Sequence, residues 1–186
     1  MTGWILLGIV VVVLLWLVVA YNRLVALRQT TGQAWSDVDV QLKQRHDLIP
    51  NLVETVKGYA AHERGTLEGV VQARNAALGA RGPEQAAAAE GALGAALGRL
   101  LALSEAYPDL KANQNFLQLQ AELGDAENKI AAARRFFNNA VAEYNSAIQQ
   151  IPAVLFAGAL GFLPRGFFEV PEAERAAITA PPQVRF

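Results

Sequence analysis

The chain of 186 residues contains no cysteine. That excludes a disulfide framework, a thiolate metal site and a cysteine nucleophile. Histidine occurs only at His46 and His62. Neither has an i, i+4 partner of metal-site type, and neither belongs to a recognisable Ser or Cys triad. The glycines at 79, 82, 91, 94 and 98 follow no G-x-x-x-x-G-K-[ST] pattern, so no phosphate loop is present. Net charge is −1, from 16 basic and 17 acidic residues that are interspersed. There is no basic tract to hold nucleic acid and no acidic tail. Runs of β-branched residues are scarce after Ala20, whereas alanine is abundant, so this part reads as helical. These absences leave no catalytic, cofactor-binding or metal residues to assign.

Charged side chains are also missing from Met1 to Asn22. At ~1.5 Å per helical residue this stretch reaches about 33 Å, enough to cross a hydrocarbon core of roughly 30 Å. It contains Trp4, Ile5, Leu6, Leu7, Ile9, Leu14, Leu15, Trp16 and Leu17. The Ile, Leu and Val residues from Ile5 to Val19 together favour insertion by roughly 4 to 8 kcal/mol. Val18-Val19-Ala20 resembles a signal-peptide cleavage site. However, Met1-Thr2-Gly3 lacks a basic n-region and the apolar run is too long for one. An uncleaved anchor over residues 1–22 is the expectation. Arg23 and Arg28 follow the span and no Lys or Arg precedes it, which directs the N-terminus outside and the remainder into the cytoplasm.

Pro50, Pro83, Pro108 and Pro152 punctuate the remainder. Leu24, Leu27, Thr31, Trp35, Val38 and Leu42 mark one helical face continuous with the anchor. The spacing resumes beyond Pro50 at Leu52, Val56 and Tyr59, so Pro50 reads as a kink and not an end. Gly79-Ala-Arg-Gly-Pro83 is a turn. A third helix follows over about Glu84 to Glu105, with Leu93, Leu97, Leu100 and Leu101 on its tight face.

The fourth helix, about Asn113 to Gln150, carries a heptad. Phe116, Leu123, Ile130, Phe137, Tyr144 and Ile151 fall at seven-residue intervals. Leu119, Ala126, Ala133, Ala140 and Ala147 form the second register. Alanines allow a neighbouring helix to approach closely. One such rod cannot bury its own seam, so it must pack on the first segments or on another subunit. Asn138 and Asn145 lie beside this seam, where a buried Asn fixes register by demanding a partner. Arg134 and Arg135 could pair with Asp37, Asp39 or Glu54 on an antiparallel neighbour. Asp37 and Asp39, two apart, do not share a helix face and so read as solvated.

Residues 153–170 form an apolar C-terminal segment, too short to span a bilayer. It is either a cap over the bundle end or a contact with membrane or another subunit, through Leu155, Phe156, Leu160, Phe162, Phe167 and Phe168. Residues 171–186 read as a flexible tail.

Ala34-Trp-Ser-Asp-Val-Asp-Val-Gln-Leu-Lys43, followed by Arg45-His-Asp-Leu-Ile-Pro-Asn-Leu-Val-Glu-Thr-Val-Lys-Gly-Tyr59, closely resembles the signature of the LemA family. Glu105 to Phe116, Glu127 to Asn138 and Val141-Ala-Glu-Tyr-Asn145 are similar to its later blocks, with Phe137 where the family often has Tyr. The resemblance implies a bacterial membrane protein with one N-terminal anchor, a cytoplasmic antiparallel helical bundle and no established activity. Through a relative concerned with magnetosome membranes it also implies a role in organising membrane.

The expected fold is therefore all-α: an anchor at 1–22 continuing into an antiparallel bundle of three to four helices over 23–152. The expected function is a non-enzymatic scaffold that meets the lipid bilayer and self-associates as a homo-oligomer at the bacterial cytoplasmic membrane. The rival expectation is an adaptor that brings a protein partner to a membrane machine such as a protease.

Overall fold

The computed structural model describes residues 1–169, and its described residues contain helices and no strand. The first helix, α1, is continuous over Thr2–Lys57. It is followed by α2 (Arg64–Gly79), α3 (Gly82–Leu103), the single-turn α4 (Pro108–Lys111) and α5 (Gln114–Gln149). Short 3-10 turns occupy Ser104–Ala106 and Ala153–Leu155. The described residues thus hold five α-helices, one more than the sequence suggested, because Pro108 starts an extra turn of its own. The expected tail at 171–186 lies outside the described residues.

Local chemistry sets the boundaries. Asn113 caps α5: its Oδ1 accepts the Phe116 N–H at 3.0 Å, satisfying one of the free amides of the first turn. Its Nδ2 donates to the Tyr59 hydroxyl at 2.9 Å. Tyr59, expected on the α1 stripe, lies beyond the end of that helix and is exposed. Pro83 stands in the first turn of α3, where its missing N–H costs nothing. The connection before it is short because Gly82 adopts φ +77°, a left-handed value that glycine takes freely.

The chain forms two compact units. The first joins Met1–Val38 to Ala133–Phe167. Its core contains Leu24, Tyr144, Ala147, Ile148, Ala153, Ala157 and Phe162. The Trp35 and Phe137 rings meet at 5.3 Å between centroids. Ala147 of the α5 alanine register and Leu24 of α1 both lie in this core.

The second unit comprises Asp39–Ala132 with Phe168 and Glu169. Its core draws Ile49, Leu52 and Val56 from α1, Leu67 and Val70 from α2, Leu93, Leu97 and Leu100 from α3, and Phe116 and Leu123 from α5. The α2 and α3 helices pack against each other across a two-residue connection. The stretch Gly82–Ala106 is long and apolar enough to cross a membrane, but its Leu93, Leu97 and Leu100 belong to this core.

In each unit the α5 seam packs on the chain's own helices. Phe116, Leu123, Ile130, Phe137 and Tyr144 are buried, and Leu119 is partly buried. Ile151 corrects the heptad reading: α5 ends at Gln149, and Ile151 beyond it is 76% exposed. Seven-residue arithmetic carries no information about where the helix stops.

Candidate functional site

Three features carry chemistry. The first is the beginning of α1. Trp4, Ile5, Leu6, Leu7, Ile9, Leu14, Leu15 and Trp16 are all exposed, and Leu17 is half-buried. The most apolar 18-residue window of α1 is 0% buried. Bare Ile, Leu and Val side chains each forgo roughly 1.5–3 kcal/mol relative to burial, so water is a costly surrounding for this stretch. No linker follows. Leu24, two residues past Asn22, is already in the core of the first unit.

The second feature is the C-terminal strap, and it divides the residues expected to interact. Leu155 and Leu160 are exposed, and Phe156 and Phe167 are half-buried. Phe162 and Phe168 are buried and are thereby corrected: neither offers a free surface. Phe162 packs edge-on against Tyr21 with ring centroids 5.6 Å apart, and the Arg28 guanidinium lies 5.2 Å above its ring. The strap is thus both a cap, through Ala153, Ala157 and Phe162, and a free apolar edge. Its far end is fastened to α5. The Tyr144 hydroxyl donates to the Leu163 carbonyl oxygen at 3.0 Å. Asn145 donates from Nδ2 to the Arg165 carbonyl and accepts at Oδ1 from the Arg165 N–H, both at 2.9 Å. Arg165 also reaches the hydroxyl of buried Thr31. Asn145 therefore has the partner its place beside the seam demands, and that partner is backbone. Arg134 and Arg135 form no ion pair with a described residue.

The third feature is a buried charge cluster in the second unit. Arg45 and His46 from α1 converge on Glu90 of α3, and all three side chains are nearly fully buried. His46 Nε2 faces Glu90 Oε1 at 2.7 Å, which against an ionised carboxylate requires the proton on Nε2. Arg45 also pairs with the half-exposed Glu127 of α5. The Arg45 Nε is buried without an acceptor among the described residues. This arrangement ties three helices by charge-assisted bonds. His62, by contrast, is exposed, as are Asp37 and Asp39. Among the described residues no three His, Cys, Asp or Glu side chains gather as a metal site.

The cluster was missed in the sequence, although a signal was there. Arg45 and His46 occupy the positions between Leu42 and Ile49 where the apolar stripe of α1 continues. Glu90 precedes Leu93 and Leu97 by three and seven residues, on the face that turns inward. A charge of each sign on two inward faces is the sequence mark of a buried pair.

The second unit also has an open groove of about 640 Å³ along the end of α1 and α2, lined among others by Val53, Lys57, Arg64, Leu67, Glu68 and Val71.

The LemA family pattern matches residues 34–186. The chain belongs to the LemA family. It is 28% identical to magnetosome protein MamQ of Magnetospirillum gryphiswaldense, over 90% of this chain and 71% of that protein. It is 26% identical to magnetosome protein MamQ 2 of Paramagnetospirillum magneticum, over 89% of this chain and 70% of the relative. It is likewise 26% identical to protein LemA of Metamycoplasma hominis, over 84% of this chain and 72% of that protein. In this LemA-family chain the signature residues do structural work. Arg45, His46 and Glu127 build the charge cluster, Asn113 caps α5, and Tyr144 and Asn145 hold the strap.

Proposed function

We propose that this LemA-family protein is a non-enzymatic scaffold anchored in the bacterial cytoplasmic membrane by α1. Its N-terminus lies outside and its bundle in the cytoplasm, where copies associate and organise the membrane around them. The observation that carries this reading is the bare apolar start of α1, which runs without a linker into a packed core. Arg23 and Arg28, just past the apolar run, support the orientation. The likeness to proteins named for the magnetosome supports a membrane-organising role. The α5 seam is used within the chain, so association falls to the bare start of α1. Light scattering and chemical crosslinking of the full chain in mild detergent test this. Several copies per particle are expected, and a strictly monomeric particle would end the assembly part.

The groove along α1 and α2 favours a second reading, an adaptor that holds a helix of a protein partner for a membrane machine. Val71 is 41% exposed on its wall. A Val71→Glu variant that loses a heterologous partner yet still self-associates supports the adaptor. One that keeps every partner refutes it.

A further inference from the structure

The strap and α1 leave between them an apolar groove of about 580 Å³, lined by Leu14, Leu17, Val18, Tyr21, Phe156 and Leu160. Its α1 wall lies inside the stretch that would span the bilayer. Leu14 precedes Arg23 by nine residues, or ~13.5 Å along a helix, and Tyr21 precedes it by two, or ~3 Å. One leaflet of a bilayer contributes about 15 Å of hydrocarbon. With Arg23 at the headgroups, the groove therefore occupies the depth of the cytoplasmic leaflet, and Phe156 and Leu160 share that depth.

We propose that Val154–Leu163 is a second membrane contact, seated among the acyl chains of the cytoplasmic leaflet, with lipid tails filling the groove between it and α1. The proposal rests on the reading of α1 as a bilayer-spanning anchor.

Two further observations select lipid as the occupant. The strap carries no charge from Ile151 to Pro164, and it sorts its side chains by direction. Ala153, Ala157 and Phe162 turn inward, while Leu155 is 79% exposed, Leu160 52% and Leu163 66%. This free edge adjoins the bare surface of α1 through the groove, so one apolar surface continues into the other. Most of its backbone N–H groups are also satisfied internally, which matters in hydrocarbon, where an unsatisfied N–H costs several kcal/mol. The N–H groups of Val154, Leu155, Phe156 and Ala157, and of Leu160, Gly161 and Phe162, all donate to nearby backbone oxygens. The Leu163 carbonyl accepts from Tyr144. A strap so placed adds volume to one leaflet and none to the other, which is the asymmetry that bends a membrane.

Because the chain has no cysteine, a single introduced one is unique. Nitroxide labels at Leu155→Cys and Leu160→Cys, in the full chain in phosphatidylcholine–phosphatidylglycerol nanodiscs, report depth through their accessibility to oxygen and to a neutral nickel chelate. Leu14→Cys is the anchor reference. Ser36→Cys, exposed on α1 about 20 Å beyond Arg23, is the aqueous reference. Labels at 155 and 160 should favour oxygen, as at Leu14→Cys. If they favour nickel as Ser36→Cys does while Leu14→Cys favours oxygen, the strap is out of the bilayer and only this proposal falls. If Leu14→Cys also favours nickel, the anchor reading fails first. Shielding of 155 and 160 from both reagents, with spin–spin broadening, would mean that a second copy covers the strap, and would likewise overturn lipid contact.

Discussion

The Nε–H of Arg74 donates to the backbone oxygen of His46 at 2.8 Å. That oxygen is the one Pro50 deprives of its helical donor, since proline four residues on has no N–H to give. The helix α1 therefore passes Pro50 without ending, and a side chain from α2 replaces the missing bond. The two residues should be energetically coupled. Arg74→Ala alone leaves the oxygen unpartnered and should cost about 1–3 kcal/mol. In a Pro50→Ala background, where a backbone N–H is restored, the same substitution should cost distinctly less. Denaturant melts of the four proteins close the cycle. Equal costs in both backgrounds would disprove the replacement.

Glu90 is held by Arg45 and His46 in the second unit. Removing it leaves a buried guanidinium with only the half-exposed Glu127 opposite. Breaking a buried pair by deleting one member costs about 3–5 kcal/mol, far more than losing an exposed pair such as Lys57–Glu54. Glu90→Ala should lower the melting temperature by roughly 6–20 °C. Glu54→Ala should leave it almost unchanged. Circular dichroism melts in one detergent compare the two. A Glu90→Ala protein as stable as the parent would show that the cluster is dispensable.

How much of this is legible in the sequence depends on which rule each residue obeys. The long apolar start of α1 is legible because an uncharged run from Met1 to Asn22 can be read directly as one helix. The α5 helix is legible because large residues recur every seven positions from Phe116 to Tyr144. Ile151 keeps the same spacing, but the helix ends before it. The charge cluster is hidden because Arg45, His46 and Glu90 are residue types that usually face water, and only their places on apolar stripes say otherwise. The strap is half legible. Its apolar run announces contact, but turns of 3-10 type have no sustained period, so nothing in the spacing says that Phe162 turns in and Leu155 out.

Asn145 holds the Arg165 backbone by two hydrogen bonds at once, as a neighbouring strand would. Alanine at this position leaves both backbone groups without that partner, at a cost of about 1–3 kcal/mol. The loss is local to the strap, so it should appear as opening and not as global unfolding. Trypsin cleaves after arginine. Asn145→Ala should therefore speed cleavage between Arg165 and Gly166, with little change in the overall melt. Asn145→Asp keeps the acceptor and loses the donor, and should fall between. Unchanged cleavage in both variants would remove Asn145 from the fastening.

Phe162 meets Tyr21 on one side of Asn22 and Arg28 on the other. Tyr21 and Arg28 are seven residues apart, two turns along the same face of one helix. The ring thus clasps the junction between the apolar run and the core. Three glycines inserted after Asn22 would rotate the parts by ~300° and separate them by ~4.5 Å if the helix persisted. Each glycine would also weaken the helix by about 1 kcal/mol. Membrane insertion should survive, because the apolar run is untouched. Contact of Tyr21 with Phe162 should not. The pair Tyr21→Cys and Phe162→Cys, in a chain with no other cysteine, should crosslink with the natural spacing and fail to do so with the insertion. Copies crosslinked in mild detergent should fall in parallel if the junction transmits the arrangement of the core to the anchor. Assembly that persists after the 21–162 crosslink is lost would reduce the anchor to a tether.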